Sequence, residues 1–227
     1  MVLMDIARLK GYLFDLDGTL LASTRFWHEA YGKALARFGV EMPADYVEHV
    51  NHLNIASGTA YTAERFGIEG GAASVERVWR ELAGDAYAEE IELTPHAKEL
   101  LYALKNADKH LGIATALDLE LAQACLERHG VWGLFETFVT VGDVGKDKSS
   151  PAVYLSAAER LGLSPCECAV FEDGETGARS ARSAGFFVAG VADPYSGSDP
   201  AHMRAVCDRY EKDLGGYLAD FALSVRR

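Results

Sequence analysis

Two aspartates, Asp15 and Asp17, close the apolar run Gly11-Tyr-Leu-Phe-Asp-Leu-Asp17 and are followed at once by Gly18-Thr19. Residues two apart on a strand project to the same side. Read as a buried strand, the run therefore delivers both carboxylates together where the backbone leaves the sheet. Two carboxylates so close cannot both ionise cheaply without a counter-charge, so the pair either shares a proton or holds a cation. A second acidic pair, Glu172-Asp173, closes the apolar run 168–171. Adjacent acids on a strand face opposite sides, unless the backbone turns, as Gly174 and Gly177 allow here. Thr115 ends the run 110–115, and Asp118 is the expected N-cap of the helix that follows, which leaves the threonine hydroxyl for another task.

These groups need a scaffold, and the rest of the sequence supplies one. Apolar runs recur at 110–115, 138–141, 168–171 and 186–191, separated by helical segments over 118–130, 150–162 and 174–185 with glycine or proline at their ends. Strand alternating with helix predicts a parallel sheet in an α/β fold, with right-handed crossovers. Thr94-Pro95 reads as the start of a helix through about Asn106, Thr94 capping and Pro95 in the first turn. Open parallel sheets bind ligands at the carboxyl ends of their strands, where both acidic pairs fall.

The stretch 22–93 is far too long for a simple crossover and must fold as something of its own. Trp27, Ala30, Tyr31, Ala34, Leu35 and Phe38 repeat at helical spacing, and similar patterns recur over 46–53, 60–66 and 75–87, which predicts a small helical bundle. Phe26, Trp27, Tyr31 and Phe38 are read as its core and not as a ligand box. His49 and His52, three apart, are read as a solvated helix face and assigned no metal. The stretch 192–200, broken by Pro194, Gly197 and Pro200, is expected to be a surface loop near the sheet end.

Composition narrows the partners. A formal charge of −12 works against binding nucleic acid, where Lys and Arg must replace the counterions of the phosphates, but leaves small phosphate esters open. The four cysteines are too few for a disulfide scaffold and lack zinc-site spacing, so they are expected as reduced, mostly buried thiols. No signal-peptide pattern or bilayer-spanning stretch is found; a cytoplasmic monomer without membrane partners is expected.

Phe14-Asp-Leu-Asp-Gly-Thr-Leu20 resembles the first motif of the haloacid dehalogenase-like superfamily, and three further motifs follow in the family's order. The resemblance covers the chain outside 22–93. It implies a doubly wound, Rossmann-like core of residues 1–21 and 94–227, with 22–93 as a helical cap inserted after the first motif. In that reading Asp15 is the nucleophile and Asp17 the acid/base. Thr115 resembles the second motif, whose hydroxyl holds phosphate oxygens, although Ala116 stands where the family more often has a small polar residue. Lys148-Ser-Ser-Pro-Ala-Val-Tyr154 keeps the spacing of the third motif, and Lys146 competes with Lys148 for the cationic role. Glu172 and Asp173 resemble the metal-binding motif. The implied Mg²⁺ shell is Asp15, the Asp17 backbone carbonyl and Asp173, with Glu172 helping, and hard oxygen donors suit that ion.

The resemblance implies a magnesium-dependent phosphatase of a small phosphorylated metabolite, working through an aspartyl-phosphate. Arg25, Asn54, Ser57 and Thr59 are the residues of the inserted stretch expected near the substrate. The nearest alternative is a sugar phosphomutase. Related mutases carry a Lys-Gly-x-Ser-Arg cap motif, and at that place this chain has Asn54-Ile-Ala-Ser-Gly58, without either basic residue. A dehalogenase or phosphonatase has no need of an acid/base at Asp17. A binding module that only kept the fold has no reason to hold all four motifs.

Overall fold

The computed structural model describes residues 6–50 and 53–225, so His52 lies outside the described residues. Strand β1 (Gly11–Phe14) is followed by helices α1 (Thr24–Arg37), α2 (Tyr46–Val50), α3 (Ile55–Phe66) and α4 (Gly71–Asp85), the last running into a wide π-type turn over Ala86–Glu90. Then come α5 (Ala97–Asn106), β2 (His110–Thr115), α6 (Leu119–Arg128), β3 (Thr137–Thr140), the short α7 (Val141–Val144) and α8 (Ala152–Arg160). The chain continues with β4 (Cys168–Glu172), α9 (Glu175–Ser183), β5 (Phe187–Val191), α10 (Pro200–Val206), β6 (Arg209–Glu211) and α11 (Leu214–Val225).

The six strands form one sheet in the order β3-β2-β1-β4-β5-β6, every neighbouring pair parallel. This is the doubly wound α/β arrangement. Strands β1, β4 and β5 are buried along their whole length, as strands covered by helices on both faces must be, which is why they read as continuous apolar runs. Phe14 and Phe171, on neighbouring central strands, stack at 4.5 Å between ring centroids in one flanking cluster; Leu13 and Val170 face the other. Burying a phenylalanine side chain contributes about 1.5–3 kcal/mol, so this central pair anchors the strands that carry the acids.

Helices α1 to α4 share a separate apolar cluster that includes Tyr31, Leu35, Tyr46, Val75 and Trp79. The chain enters and leaves this helical segment side by side. Leu21 and Leu93 form an antiparallel bridge, and the Ala22 N–H donates to the Glu92 carbonyl at 2.9 Å.

Two expected helix starts need correction. Helix α5 begins at Ala97, preceded by His96 in a left-handed conformation with φ 66°. Thr94 does not cap it; its hydroxyl donates to the Thr19 carbonyl at 2.7 Å, tying the returning chain to the loop after β1. Asp118 occupies the N-cap position of α6 without a capping hydrogen bond, because Arg80 of α4 draws its carboxylate into an ion pair at 2.7 Å. Cys125, Cys168 and Cys207 are buried free thiols and Cys166 is an exposed one.

Candidate active site

The strand order reverses between β1 and β4, and a crevice opens there beyond the carboxyl ends of the strands. The backbone of Asp15 is still tied to the sheet, its N–H donating to the Phe171 carbonyl at 3.0 Å. The chain then folds into a tight loop at Gly18, φ +83°, where any side chain would run into the Asp173 carboxylate. Asp15, Asp17, Thr115, Lys148, Glu172 and Asp173 all line one cavity of about 380 Å³. Residues from four separate loops thus meet.

Lys148 is buried and bridges two carboxylates, its Nζ lying 2.5 Å from Asp15 Oδ1 and 2.5 Å from Glu172 Oε1. Burial works against the ammonium, but the Asp15 and Glu172 carboxylates outweigh it and hold the Lys148 pKa above its usual value. The loop is fixed from below by the Ser180 hydroxyl, which donates to the Lys148 carbonyl at 2.6 Å. Lys146, by contrast, is exposed and lines a second cleft with Asn54 and Ser57. Tyr154 also donates to Glu172 Oε1, at 2.6 Å, so the Glu172 carboxylate is held from two sides.

Asp15, Glu172 and Asp173 each offer an oxygen within 4.8 Å of the others. Burial pushes the Asp173 carboxyl well above the usual range, and the Asp15, Glu172 and Asp193 carboxylates push it further. Among the described residues Lys148 is the cation paired with this cluster, through Asp15 and Glu172, so three carboxyl groups face one ammonium. Buried hard oxygen donors in that state fit a divalent cation. The Asp17 carboxylate stands outside the cluster. Its Oδ1 accepts hydrogen bonds from Ser23 at 2.5 Å and from the Tyr87 hydroxyl, and burial pushes its pKa up to about 6. Thr115 Oγ1 accepts the Leu117 N–H at 3.1 Å, which occupies its oxygen but leaves its O–H proton to donate into the cavity.

The residues expected from the inserted stretch fare differently. Arg25 is exposed and paired with Glu29, and Thr59 is fully buried with its hydroxyl turned to the Ala56 carbonyl; neither lines the cavity. Asn54 caps α3 by accepting the Ser57 N–H and, with Ser57, faces the second cleft. The cavity wall on this side is instead formed by the aromatic and apolar Trp27, Tyr31, Val47, Leu53, Ile55 and Trp79, interrupted by the polar Thr24, His28 and Glu48. Trp27 and Tyr31 therefore serve as core and as wall together, a dual use that core periodicity alone hides. Across the cavity lie Arg179, Tyr195, Ser196 and Ser198, so the 192–200 loop borders the site as well as the surface. His49 is exposed and stacks on Tyr61.

Fold and site together define a doubly wound α/β hydrolase with an acidic centre at the sheet's switch point. The family description haloacid dehalogenase-like hydrolase matches residues 9–185, and the chain belongs to that family. Among named relatives, hexitol phosphatase A of Escherichia coli (strain K12) is 33% identical over 189 residues, covering 82% of this chain and 85% of its own. Validoxylamine A 7'-phosphate phosphatase of Streptomyces hygroscopicus subsp. limoneus is 28% identical over 208 residues, 90% of this chain and 94% of its own. In structure the chain resembles CbbY from Rhodobacter sphaeroides in complex with phosphate, with TM-score 0.78, 23% identity, and coverage of 94% of this chain and 99% of that one. The protein is a phosphoric monoester hydrolase.

Proposed function

We propose that the chain hydrolyses the phosphate ester of a sugar or polyol in two in-line steps, with Asp15 as nucleophile and Asp17 as proton-transfer group. The observation that carries this reading is the different setting of the two aspartates. Asp15 is paired with a cation, whereas Asp17 is held by neutral hydroxyls and has its carboxyl raised to about 6. Two titratable groups in contrasting environments are the usual mark of divided roles.

In the first step an Asp15 oxygen attacks phosphorus and the ester oxygen leaves with a proton from Asp17, giving phosphorylated Asp15. In the second, Asp17 takes a proton from water as that water attacks the same phosphorus, releasing inorganic phosphate and restoring Asp15. Lys148 offsets the charge at Asp15, and the Thr115 O–H orients a phosphoryl oxygen. Asp15 and Asp173, with the Asp17 backbone carbonyl and support from Glu172, would hold Mg²⁺. Bound there, the ion supplies electrostatic stabilisation to the charged phosphoryl group.

The helices of 22–93 act in this reading as a cap that excludes water and contacts the leaving group. An aromatic wall suits the C–H faces of a sugar or polyol, the class of molecule named for the hexitol phosphatase relative. A mutase is disfavoured at position 58, where a Cβ would lie 2.9 Å from Trp79 Cζ3, so no basic side chain has room to rise from it. We take the protein to act as a cytoplasmic monomer on small esters, independent of nucleic acid and membrane; no helix among the described residues is long and apolar enough to cross a membrane.

A panel of hexitol and sugar phosphates assayed with Mg²⁺ tests the substrate class, and Asp15→Asn tests the nucleophile. The variant should still fold, since asparagine keeps the shape of the side chain, and lose turnover by many orders of magnitude; activity within about tenfold of wild type refutes the assignment.

A further inference from the structure

We propose that Tyr87 is a positioning residue for Asp17, and that Trp27 aims it; this rests on the reading of Asp17 as the proton-transfer group. Neither residue belongs to the motifs that mark the acidic centre, and both come from the helical segment between β1 and β2. Tyr87 is fully buried and donates its O–H to Asp17 Oδ1. Trp27 Nε1 donates in turn to the Tyr87 oxygen at 2.6 Å. An indole N–H can only donate, so it must occupy a lone pair of the phenol and leaves the phenolic proton to point at the carboxylate. The ring itself is held by Phe26 and Trp27, at 6.3 and 6.2 Å between centroids.

The backbone is shaped for the same end. Tyr87 sits in the wide turn Ala86–Glu90, closed by Ile91 N–H to the Ala86 carbonyl at 2.8 Å, and one-turn widenings of this kind re-aim side chains at functional sites. Directly after it, Ala22 N–H to Glu92 and Thr94 N–H to Leu20 lock the segment to the loop that carries Asp17, both at 2.9 Å. Tyr87 and Ser23 thus fix one Asp17 oxygen, and the other is left to exchange a proton with the leaving group and then with water. Because the donors lie on the helical segment and the acceptor on the loop after β1, the same bond couples the orientation of Asp17 to the seating of those helices.

The test is kcat/KM for Tyr87→Phe, Trp27→Phe and the double variant on an alkyl ester such as a hexitol phosphate and on p-nitrophenyl phosphate, with wild type and Asp15→Asn as references. On the alkyl ester Tyr87→Phe should lose roughly tenfold to a hundredfold, the size expected for a lost hydrogen bond to a charged group. On the aryl ester, whose leaving group departs without a proton, the loss should stay within about threefold. Trp27→Phe, which also alters the cavity wall, should lose less on the alkyl ester than Tyr87→Phe, and its further loss in the Tyr87→Phe background should be smaller than its loss in wild type, since the two act through one chain. Equal losses on both esters, no loss on the alkyl ester, or multiplying losses in the double variant overturn the proposal. If Tyr87→Phe does not fold, an alkyl-ester rate for Trp27→Phe equal to wild type overturns it alone. Wild-type protein inactive on every ester refutes the phosphatase reading itself; an active wild type with inactive Asp15→Asn and unaffected Tyr87→Phe refutes only the positioning role.

Discussion

Asp17→Asn should make the protein more stable at neutral and alkaline pH while disabling it. In the folded chain burial raises the Asp17 carboxyl from its ordinary 3.8 to about 6, against hydrogen bonds from Ser23 and Tyr87 that pull it down. The folded state therefore holds this proton more tightly than the unfolded chain does. Ionised Asp17 costs no stability below pH 3.8, a growing amount between pH 3.8 and about 6, and its full amount above that. At about 1.4 kcal/mol per pH unit the full amount is about 3 kcal/mol, and water in the cavity screens it to roughly 2–3 kcal/mol. Asparagine has the same shape, keeps an Oδ1 to accept from Ser23 and Tyr87, and carries no charge. For a chain of this length each kcal/mol is worth about 2–4 °C, so the variant should melt roughly 4–12 °C above wild type at pH 8. At pH 3.5 the difference should vanish. The measurement is a pair of thermal or urea unfolding series in EDTA, which keeps cations from stabilising the carboxylate. Destabilisation at pH 8, or an equal gain at both pH values, refutes the argument. Turnover of an alkyl phosphate by the same variant should fall by roughly 10² to 10⁴.

EDTA should abolish activity and Mg²⁺ restore it, with Ca²⁺ restoring little because it prefers more ligands and looser geometry; full activity in EDTA refutes the metal assignment. Lys148→Met removes both of its 2.5 Å ion pairs, each worth about 6–7 kcal/mol of attraction at an effective dielectric of about 20. Desolvation of the ammonium offsets most of this, so urea unfolding should register a loss of about 3–5 kcal/mol, partly recovered by adding Glu172→Gln; a variant as stable as wild type refutes the role of the bridge. Gly177→Ala lies in α9, where alanine ordinarily gains up to about 1 kcal/mol, but its Cβ would sit 2.6 Å from Glu172 Cδ and from the Tyr154 hydroxyl. Overpacking of about 1–3 kcal/mol should win, and a stabilised variant in the same unfolding assay refutes that balance.

The central strands were legible because a parallel strand covered on both faces has to be apolar along its buried length, and β1 and β5 are apolar throughout while β2 and β4 carry polar residues only at their ends, His110, Thr115 and Glu172. Strand β6 was not. It is three residues, Arg209-Tyr-Glu211, all partly exposed at the sheet edge, and its strand character comes from pairing with β5. The start of α5 was misread because Thr94 and Pro95 make good capping chemistry locally, yet the Thr94 hydroxyl is claimed by the Thr19 carbonyl, 75 residues away in sequence. Asp118 is the same case, a sound N-cap by type that an arginine from another element takes over.

The acidic centre was readable for a physical reason that does not extend to the helices above it. Asp15, Thr115 and Glu172 follow from strand ends, and all strand ends of a parallel sheet open into one crevice, so position along the chain fixes position in space. In the inserted helices, periodicity says only which stripe faces inward, and that inward stripe meets both the helices' own core and the cavity. Trp27, Tyr31 and Trp79 belong to that packing and line the cavity. The same geometry argues against Arg25. At about 100° per residue it lies roughly 200° around α1 from Trp27, on the face that turns to solvent, where it is found paired with Glu29. A cation two positions from an inward tryptophan is thereby directed away from the wall that the tryptophan forms. On this side the groups placed to discriminate among leaving groups are the aromatic wall together with His28 and Glu48, with Arg179 across the cavity as a cationic side chain in the opposite wall.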